Sequence, residues 1–486
     1  MTDVAEPDVT PELDDDPVAA PGGAAPEPHL GWGTSRRATT VAWVLFALVS
    51  LVVGRSVFDH DFRDTGIRGD TASFVLQAVS LAYQGHNLSY DKTDLDHFRA
   101  LHWEAEPRGA HIQRDDGGWA FAKPYGYSAF LAPFLRGLGP AHGLAVANLL
   151  LLAIIAACST ATMWLRYRGA VVPIVVGVFL FGSNLFFYAY HAYTELFLAA
   201  VVAALGYCLL RGARSHSTPW VAAGVAISAI LVSEKAPMGV VVVPAIVVAL
   251  FALPGWWKRL IAVGAGAVTF ALAIFPYLFY SDFTSWNPYG GARYYIDKGA
   301  PFGGANVIYP VDTSETFSLS YLRRSLGSEL GSTAKSAGYY VVGRHTGLAL
   351  YTPIAVVILV LAIAVVIHRR RSTPVMGAAI LGGIAAYVGF YVLLFPHNYY
   401  GGGQSFGNRY FLQMAPMVIP LAVAMGLQAK HLVWGAALSL VIALTVLRWE
   451  YGDPSAALLE IWRTNPLQRW FPIEVNQEYR PLWGGS

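Results

Sequence analysis

A short polar segment separates two long apolar runs late in the chain. It lies within Pro396–Met417 and reads PHNYYGGGQSFGNRYFLQMAPM. Its side chains with ligand-binding groups are His397, Gln404, Asn408 and Arg409. A guanidinium suits bidentate contact with phosphate, and glycines let a backbone approach a ligand closely. The segment therefore predicts a site for a phosphate-bearing ligand, with a flexible hairpin and a snorkelling arginine as the alternative.

Three aspartates that follow the first apolar run are candidates for a general base. Asp59 and Asp61 come directly after the run, and Asp70 begins the helical apolar pattern of GDTASFVLQAVSLAYQGH. A carboxylate fixed at a helix terminus can accept a proton from an attacking hydroxyl group. The same aspartates also fit a solvated loop, and Asp70 by itself fits a helix cap. Both interpretations stay open at the level of sequence.

Three more ionisable residues stand at the ends of apolar runs. Glu195 begins the run in YHAYTELFLAA, where it is either a cap or a ligand-binding carboxylate. Glu234 and Lys235 separate two runs in LVSEKAPMGV. Ionisable groups at such positions are costly unless they are paired or reach the interface. The pair therefore forms either an ion pair within a tight turn or a cation site for an anionic lipid headgroup.

Long uncharged stretches determine the class of fold that must position these residues. The chain has 486 residues, of which 55% are hydrophobic and 13% are charged, whereas a soluble domain usually carries about a quarter charged residues. Stretches such as LAVANLLLLAIIAACSTATMWL reach the roughly 20 apolar residues that cross a bilayer. Strands of a membrane barrel would alternate in polarity and be about half as long. The sequence therefore predicts an all-α polytopic membrane protein.

Hydropathy predicts about eleven membrane-spanning helices. They lie near residues 38–58, 139–163, 170–189, 192–210, 218–233, 237–254, 259–280, 347–367, 375–395, 409–427 and 431–448. Arginines and lysines concentrate in the short loops on the side of the N-terminus. The positive-inside rule then predicts a cytoplasmic N-terminus, and an odd number of spans places the C-terminal tail outside.

The predicted organisation has three parts. Residues 1–37 form an acidic, disordered cytoplasmic tail, residues 38–448 form the membrane domain, and residues 449–486 form an extracytoplasmic tail. The membrane domain contains two large outer loops, 59–138 and 281–346. The helical pattern from Asp70 is too short to span a bilayer and predicts an interfacial helix in the first loop. The PYGYSAFLAPFLRGLGP stretch predicts a second interfacial or re-entrant element.

Several classes of function lack a signature in this sequence. There is no basic cluster with interleaved aromatic residues for nucleic acid, and there is no Walker loop for ATP. No metal-binding motif is present, although a requirement for a divalent metal ion stays open. Cys158 and Cys208 both fall within predicted spans, so no structural disulfide is expected.

Four stretches, taken in order, resemble the polytopic glycosyltransferases of the GT-C class. They are RGDTASFVLQAVSLAYQGHNLSYD, KPYGYSAFLAPF, GRHTGLALYTPIAVVILVLA and YGGGQSFGNRYFLQMAPMVIPL. The resemblance is to the superfamily of protein mannosyltransferases and aminoarabinose transferases, including bacterial family 39-like members, and it covers most of residues 40–427. Thr71 stands where these enzymes usually have a second acid, and Asn408 stands where proline is common.

The resemblance implies transfer of a sugar from a polyprenyl-phosphate donor to an envelope glycan, lipid or protein. It places the reaction at the extracytoplasmic face of the plasma membrane, where a base activates the acceptor and cations stabilise the leaving phosphate. The implied base is Asp70, with Asp59 or Asp61 as substitutes. The implied contacts to the donor phosphate or lipid are Arg409, Lys235 and Tyr410, and those to the sugar or acceptor are Glu195, His397, Asn408 and Gln404.

Two other classes of function fit a polytopic chain. A transporter or lipid flippase would show repeated halves, interrupted helices and ionisable residues near the middle of the bilayer. The sequence contains no convincing inverted repeat, and its charges fall at the ends of spans. A non-catalytic scaffold for envelope assembly on the same fold is the third possibility.

Overall fold

The computed structural model describes most of the chain between residues 35 and 472. The described residues are 35–62, 70–85, 89–101, 103, 109–113, 117–279, 293–297, 302, 307–311, 319–369, 372–396, 398–401, 407–447, 467 and 470–472. The predicted disordered segment up to residue 34 and most of the C-terminal tail lie outside these ranges. So do His397 and Gln404 and, although Asp70 itself belongs to a helix, the side chain of Asp70.

The described chain is mostly helical. The helices are α1 (Arg36–Asp59), α2 (Asp70–Gln84), α3 (Lys92–Ala100), α4 (Gly126–Trp164), α5 (Val171–Phe181), α6 (Thr194–Ser215), α7 (Thr218–Glu234), α8 (Met238–Ala252), α9 (Trp256–Phe279), α10 (Leu319–Leu326), α11 (Leu330–Val342), α12 (Leu348–Tyr351), α13 (Pro353–His368), α14 (Val375–Leu394), α15 (Arg409–Met414), α16 (Val418–Ala424) and α17 (Ala429–Val446). Short 3₁₀ helices cover Phe186–Tyr190 and Ala415–Met417.

Six helices of the described chain are long and apolar enough to cross a membrane. They are α1, α4, α6, α9, α14 and α17. Shorter apolar helices occupy the other predicted spans, namely α5, α7, α8, α13 and the composite helix Arg409–Ala424. The chain is therefore a membrane-embedded helical protein, and the number of eleven spans stays a prediction.

The ends of several helices meet at one end of the bundle, which we call the basic end. There Arg214 of α6 donates to the carbonyl of Leu165 after α4 (2.9 Å) and to that of Val423 in α16 (3.4 Å). The ring of His216 lies 2.6 Å from the carbonyl oxygen of Ala252 at the end of α8. Cations placed on the free carbonyls of helix C-termini satisfy these groups and complement the helix dipole.

The predicted span 170–189 is not one continuous helix, which corrects the sequence interpretation. Helix α5 ends at Phe181, and Asn184 then turns inward, where its N–H donates to the carbonyl of Tyr351 (2.7 Å). The Asn184 side-chain oxygen accepts from the hydroxyl of Thr352 (3.1 Å), at the break between α12 and α13. Two interrupted helices thus satisfy each other's buried polar groups, because asparagine and threonine compete with helical hydrogen bonding.

Helices α8 and α14 approach each other closely at a glycine. A Cβ atom at Gly383 would overlap the carbonyl oxygen of Val241, whereas a Cβ atom at the neighbouring Gly382 would meet nothing within 4 Å. Small residues at helix contacts let two backbones pack together within membranes. The close contact between α8 and α14 therefore requires glycine at position 383 but not at position 382.

We expect Gly383→Ala to lower the free energy of unfolding by about 1–3 kcal/mol, since the added methyl group overpacks the α8–α14 contact. The measurement is reversible unfolding of the purified protein in mixed micelles. Gly382→Ala is the matched control and should be neutral or slightly stabilising, because alanine favours a helix over glycine. Equal effects of the two substitutions would contradict this packing.

Parts of both predicted outer loops form a five-stranded antiparallel sheet. Its strands are β1 (Ser89–Tyr90), β2 (Gly109–Gln113), β3 (Trp119–Phe121), β4 (Arg293–Asp297) and β5 (Val307–Val311), in the order β1-β3-β2-β4-β5. The pairing of β2 with β4, in which His111 opposes Tyr294, joins the first loop to the second. The sequence interpretation contained no strands, so this small sheet is an addition to a mainly helical fold.

Helix α2, predicted to lie at an interface, is buried along nearly its whole length. Residues 71–80 are all buried, including Ser73, Gln77 and Ser80. The hydroxyl of Ser128 in α4 lies 2.9 Å from both the Phe74 carbonyl oxygen and Gln77 Oε1. These contacts explain why polar residues are tolerated there, since buried polar groups need hydrogen-bond partners. Helix α2 thus packs against the first turns of α4.

Candidate functional site

Four chain segments form a cluster at the end of the bundle opposite the basic end; three contribute charged residues and the fourth contributes a backbone N–H. These are the start of α6, the start of α15, the turn between α7 and α8, and the start of α4. They contribute Glu195, Arg409, the pair Glu234–Lys235, and Gly126, respectively. A charged cluster among apolar helices is expected to be functional by default.

The centre of the cluster is a buried ion pair. Arg409 Nε lies 3.3 Å from Glu195 Oε1, and the side chains are only 12% and 4% exposed. Gln413, one helical turn beyond Arg409, donates from Nε2 to the same Glu195 oxygen (3.1 Å). The other oxygen, Glu195 Oε2, is buried without a hydrogen-bond partner in the described part of the chain. A buried charge pair of this kind needs both members, because either charge alone is strongly destabilising.

Asn408 is the N-cap of helix α15. Its Oδ1 accepts the N–H of Phe411 (2.9 Å), which satisfies one of the free donors of the first turn. The side chain is buried, and its Nδ2 has no hydrogen-bond partner among the described residues. The cap fixes the start of the helix, and therefore the position of Arg409, while leaving an amide donor at the site.

Two glycines of the polar segment, Gly401 and Gly407, pack against Arg409 and the interrupted helices, and contact of the segment with a ligand stays a prediction. Gly401 has φ +104°, and a Cβ atom there would lie 2.9 Å from both Cβ and Nε of Arg409. The N–H of Arg409 donates to the carbonyl of Tyr400 (2.9 Å). Gly407 has φ +69°, and a Cβ atom there would likewise overlap the side-chain amide of Asn184. These positions need glycine for both conformation and space.

Lys235 and Arg409 both lie close to the ring of Tyr410. Lys235 Nζ is 4.2 Å and Arg409 Cζ is 5.9 Å from its centroid. The Tyr410 ring stacks on Tyr391 at 4.3 Å, and Lys235 is 6.0 Å from that second ring. Cation–π contacts of about 0.5–2 kcal/mol hold a cation in place without neutralising it. Tyr410 therefore positions positive charge at the site.

The carboxylate of Glu234 is bound by the start of helix α4. Gly126 N–H donates to Glu234 Oε1 (2.7 Å), and the N–H of Tyr127 also points to this carboxylate. An anion at a helix N-terminus is favoured by the free N–H groups and the dipole. The contact found for Glu234 is therefore with α4, and its ion pair with Lys235 within a tight turn stays a prediction.

Tyr125, just before α4, lies near the buried carboxylate of Glu234. Burial, and then the negative charge of Glu234, raise the pKa of Tyr125, which precedes α4. Its N–H donates to the hydroxyl oxygen of Tyr277 at the end of α9 (2.6 Å). The start of α4 is therefore fixed from two sides, by α7 and by α9.

The three candidate bases have different surroundings. Asp59 ends α1 and forms an exposed ion pair with Arg55 at 2.6 Å, a contact of little energetic value. Asp61 follows α1 and is half-buried. Asp70 is the first residue of α2, one turn before Phe74, whose ring lies 5.5 Å from that of Tyr127. Of the three, Asp70 belongs to the helix that packs against the site-bearing start of α4.

Four residues of the cluster were missed by the sequence interpretation. They are Gln413, Tyr387, Tyr391 and Tyr193. The hydroxyl of Tyr387 lies 3.1 Å from the Tyr410 carbonyl oxygen and 3.4 Å from Gln413 Oε1. Arg409 Cζ lies 5.4 Å from the ring of Tyr193. The available signal was helical spacing: Gln413 follows Arg409 by one turn.

A group of three or more His, Cys, Asp or Glu side chains that could hold a metal ion was not found among the described residues. Comparison of the chain with protein-family models, curated protein sequences and solved structures found no match. The resemblance to GT-C enzymes therefore rests on the motifs quoted above.

Proposed function

We propose that this protein is a GT-C-like glycosyltransferase that moves a sugar from a polyprenyl-phosphate donor to an envelope glycan, lipid or protein. The observation that carries the proposal is the pair of cations, Lys235 and Arg409, held within 6 Å of the Tyr410 ring. A lipid phosphate that leaves the sugar develops negative charge, and fixed cations stabilise that charge. Their position at helix ends is where a phosphate headgroup at a membrane surface would lie.

In the proposed reaction an acceptor hydroxyl oxygen attacks the anomeric carbon of the donor. The bond from that carbon to the phosphate oxygen breaks, and the polyprenyl phosphate leaves with the electron pair. Asp70 accepts the hydroxyl proton. Lys235 and Arg409 contact the phosphate, with Tyr410 beside the lipid.

The sugar and acceptor would meet the remaining polar groups of the cluster. Glu195 Oε2 offers an acceptor for a sugar hydroxyl, and Asn408 Nδ2 offers a donor. Polar groups that are buried without partners are suited to recognise a polar ligand. His397 and Gln404, outside the described residues, are proposed to join them from the same polar segment.

We also propose eleven spans, with the N-terminus in the cytoplasm and the site at the extracytoplasmic face of the plasma membrane. Arg214 at the basic end, and Arg166, which donates to the carbonyl of Gly426 nearby, support this orientation through the positive-inside rule. The C-terminal tail supports the odd number of spans. Arg344, before α12, donates to the carbonyls of Phe471 (3.1 Å) and Pro472 (2.9 Å), so the tail returns to the end opposite the basic residues.

The deciding experiment is a transfer assay on the full chain in lipid vesicles. The donors are radiolabelled polyprenyl-phosphate sugars, and the acceptor is a crude envelope fraction. We expect Asp70→Asn to lower turnover by about 100-fold or more, as for loss of a general base. Asp96→Asn, an exposed aspartate in α3, is the matched control and should leave turnover unchanged.

Each outcome of that assay has a distinct meaning. Turnover that survives Asp70→Asn would keep the transferase and move the base to Asp59, Asp61 or Glu195. Absence of turnover with every donor, from protein that is folded, would contradict the proposed function.

The interrupted helices favour one second candidate, a lipid or sugar transporter. Breaks at Asn184 and Thr352 that contact each other resemble the discontinuous helices of transporters. Such a protein would move a fluorescent polyprenyl-phosphate lipid between leaflets of a vesicle without any sugar transfer. Leaflet movement in the absence of transfer would select this alternative.

A further inference from the structure

An apolar groove runs along α1 and does not include any residue of the charged cluster. It has a volume of about 590 Å³, within the range of small-molecule sites, and lies between α1, α4 and α5. Small residues of α1 and α4, including Gly54, Ala153 and Ala156, form part of its wall. A Cβ atom added at Gly54 would lie 3.9 Å from Leu149, in ordinary van der Waals contact, so this end of the wall is formed by α1 and α4 together.

The two ends of the groove differ in chemistry. Trp43 and Trp164 form a pair at 6.1 Å at one end, where α1 begins and α4 finishes. Phe46, one turn further along α1, contacts Phe181 of α5 at 6.0 Å. Tryptophans commonly mark the level of lipid headgroups, with apolar residues deeper in the membrane. This pattern gives the groove a headgroup end and a chain end.

Arginines lie just beyond the tryptophan pair. Arg36 precedes Trp43 by two helical turns on the same face of α1, about 10 Å further along the axis. Arg37 follows it, and both are exposed. Arg168 donates to the carbonyls of Trp164 and Tyr167, which holds its guanidinium at the mouth of the groove. Positive charge therefore surrounds the headgroup end.

We propose that this groove binds one anionic phospholipid, with an acyl chain between α1 and α4 and the headgroup among Arg36, Arg37 and Arg168. The wall is apolar apart from the hydroxyls of Ser50 and Thr160 and so favours an acyl chain, and the charge at its mouth selects an anionic headgroup over a zwitterionic one. The phosphate of a sugar donor would lie at Lys235 and Arg409, at the opposite end of the bundle. The lipid is thus a separate ligand, and the inference does not depend on sugar transfer.

The test is native mass spectrometry of the full chain from micelles that contain equal phosphatidylglycerol and phosphatidylcholine with identical acyl chains. We expect the wild-type protein to retain one phosphatidylglycerol preferentially. Arg36→Gln and Arg37→Gln should each reduce that preference about fivefold, from roughly 1 kcal/mol per arginine near a headgroup. Lys430→Gln removes an exposed charge at the start of α17 and is the matched control.

A second pair of variants tests the acyl-chain site. Ala156→Leu fills the groove and should lower the retention of both lipids, whereas Ala267→Leu on the exposed face of α9 should not. Equal retention of both headgroups by the wild type would overturn the proposal, since lipid would then be only annular. Loss of preference in Lys430→Gln to the same extent as in Arg36→Gln would also overturn it, because the effect would be one of overall charge.

Discussion

Replacement of Arg409 by glutamine is expected to lower the rate of sugar transfer by about 100-fold and the free energy of unfolding by about 3 kcal/mol. In the proposed reaction the rate falls because a cation near the leaving phosphate is lost. The stability falls for a different reason: the carboxylate of Glu195, 4% exposed, stays buried without its positive partner. One substitution thus has two effects that can be separated.

The effect on the transfer rate can be separated from the effect on stability with a double variant in which both Arg409 and Glu195 are replaced by glutamine. Glu195→Gln alone should also destabilise the fold, since it leaves the guanidinium buried with a neutral partner. In Arg409→Gln with Glu195→Gln, both charges are removed, so most of the lost stability should return while transfer stays low. Unfolding in mixed micelles and the vesicle transfer assay measure the two quantities on the same preparations.

A surface ion pair provides the control for this cycle. Arg55 and Asp59 are 72% and 48% exposed, although their atoms approach to 2.6 Å. Arg55→Gln should change the free energy of unfolding by less than about 1 kcal/mol. If Arg409→Gln is as mild as Arg55→Gln, the Glu195 contact is not the buried pair described here. If the double variant recovers transfer, Arg409 does not act on the phosphate.

The second large effect is expected from Gly126→Ala. A methyl group there would overlap Glu234 Oε1 and displace the carboxylate from the first turn of α4. The loss should be about 1–3 kcal/mol of unfolding free energy. Because Lys235 follows Glu234 directly, its contact with the Tyr410 ring should weaken too, and the KM for the lipid donor should rise about tenfold.

Helix α4 itself contains the matched control. A Cβ atom at Gly137 would meet nothing within 4 Å, so Gly137→Ala should leave both stability and KM unchanged. Glu234→Gln retains an oxygen that can accept the Gly126 N–H and should be milder than Gly126→Ala. Equal behaviour of Gly126→Ala and Gly137→Ala would show that the contact between Glu234 and α4 does not position Lys235.

The apolar helices could be located from the sequence because each is a long uninterrupted run of one residue class. The span 170–189, one of those that the structure interrupts, shows the limit of that reasoning. Gly182, Ser183 and Asn184 interrupt its apolar residues, but the partner that stabilises the break at Asn184 is Thr352, far away in the chain. Hydropathy measures whether a segment prefers a membrane, and it carries no information on which distant group completes a hydrogen bond.

The candidate site was predicted in part for the same reason. Glu195, Lys235, Asn408 and Arg409 attract notice as polar residues at the ends of apolar runs, and the structure brings them to one end of the bundle. Which acid contacts which base depends on helix packing, so the pairing of Glu195 with Arg409 could not be derived. Tyr193, Tyr387 and Tyr391 were missed because aromatic residues are common in apolar helices, and the cations beside Tyr193 and Tyr391 come from distant parts of the chain.

The pairing of β2 with β4 has a consequence for how the chain is made. Strands β1, β2 and β3 are close in sequence and can assemble as soon as they have emerged from the ribosome. Strand β4 is synthesised only after α4 through α9. The edge of β2 that later pairs with β4 therefore stays unpaired while those helices are inserted. An open strand edge readily pairs with another chain. Biogenesis of this protein therefore includes an interval in which the unfinished sheet is vulnerable to mispairing, and slowing translation between α4 and α9 would prolong it.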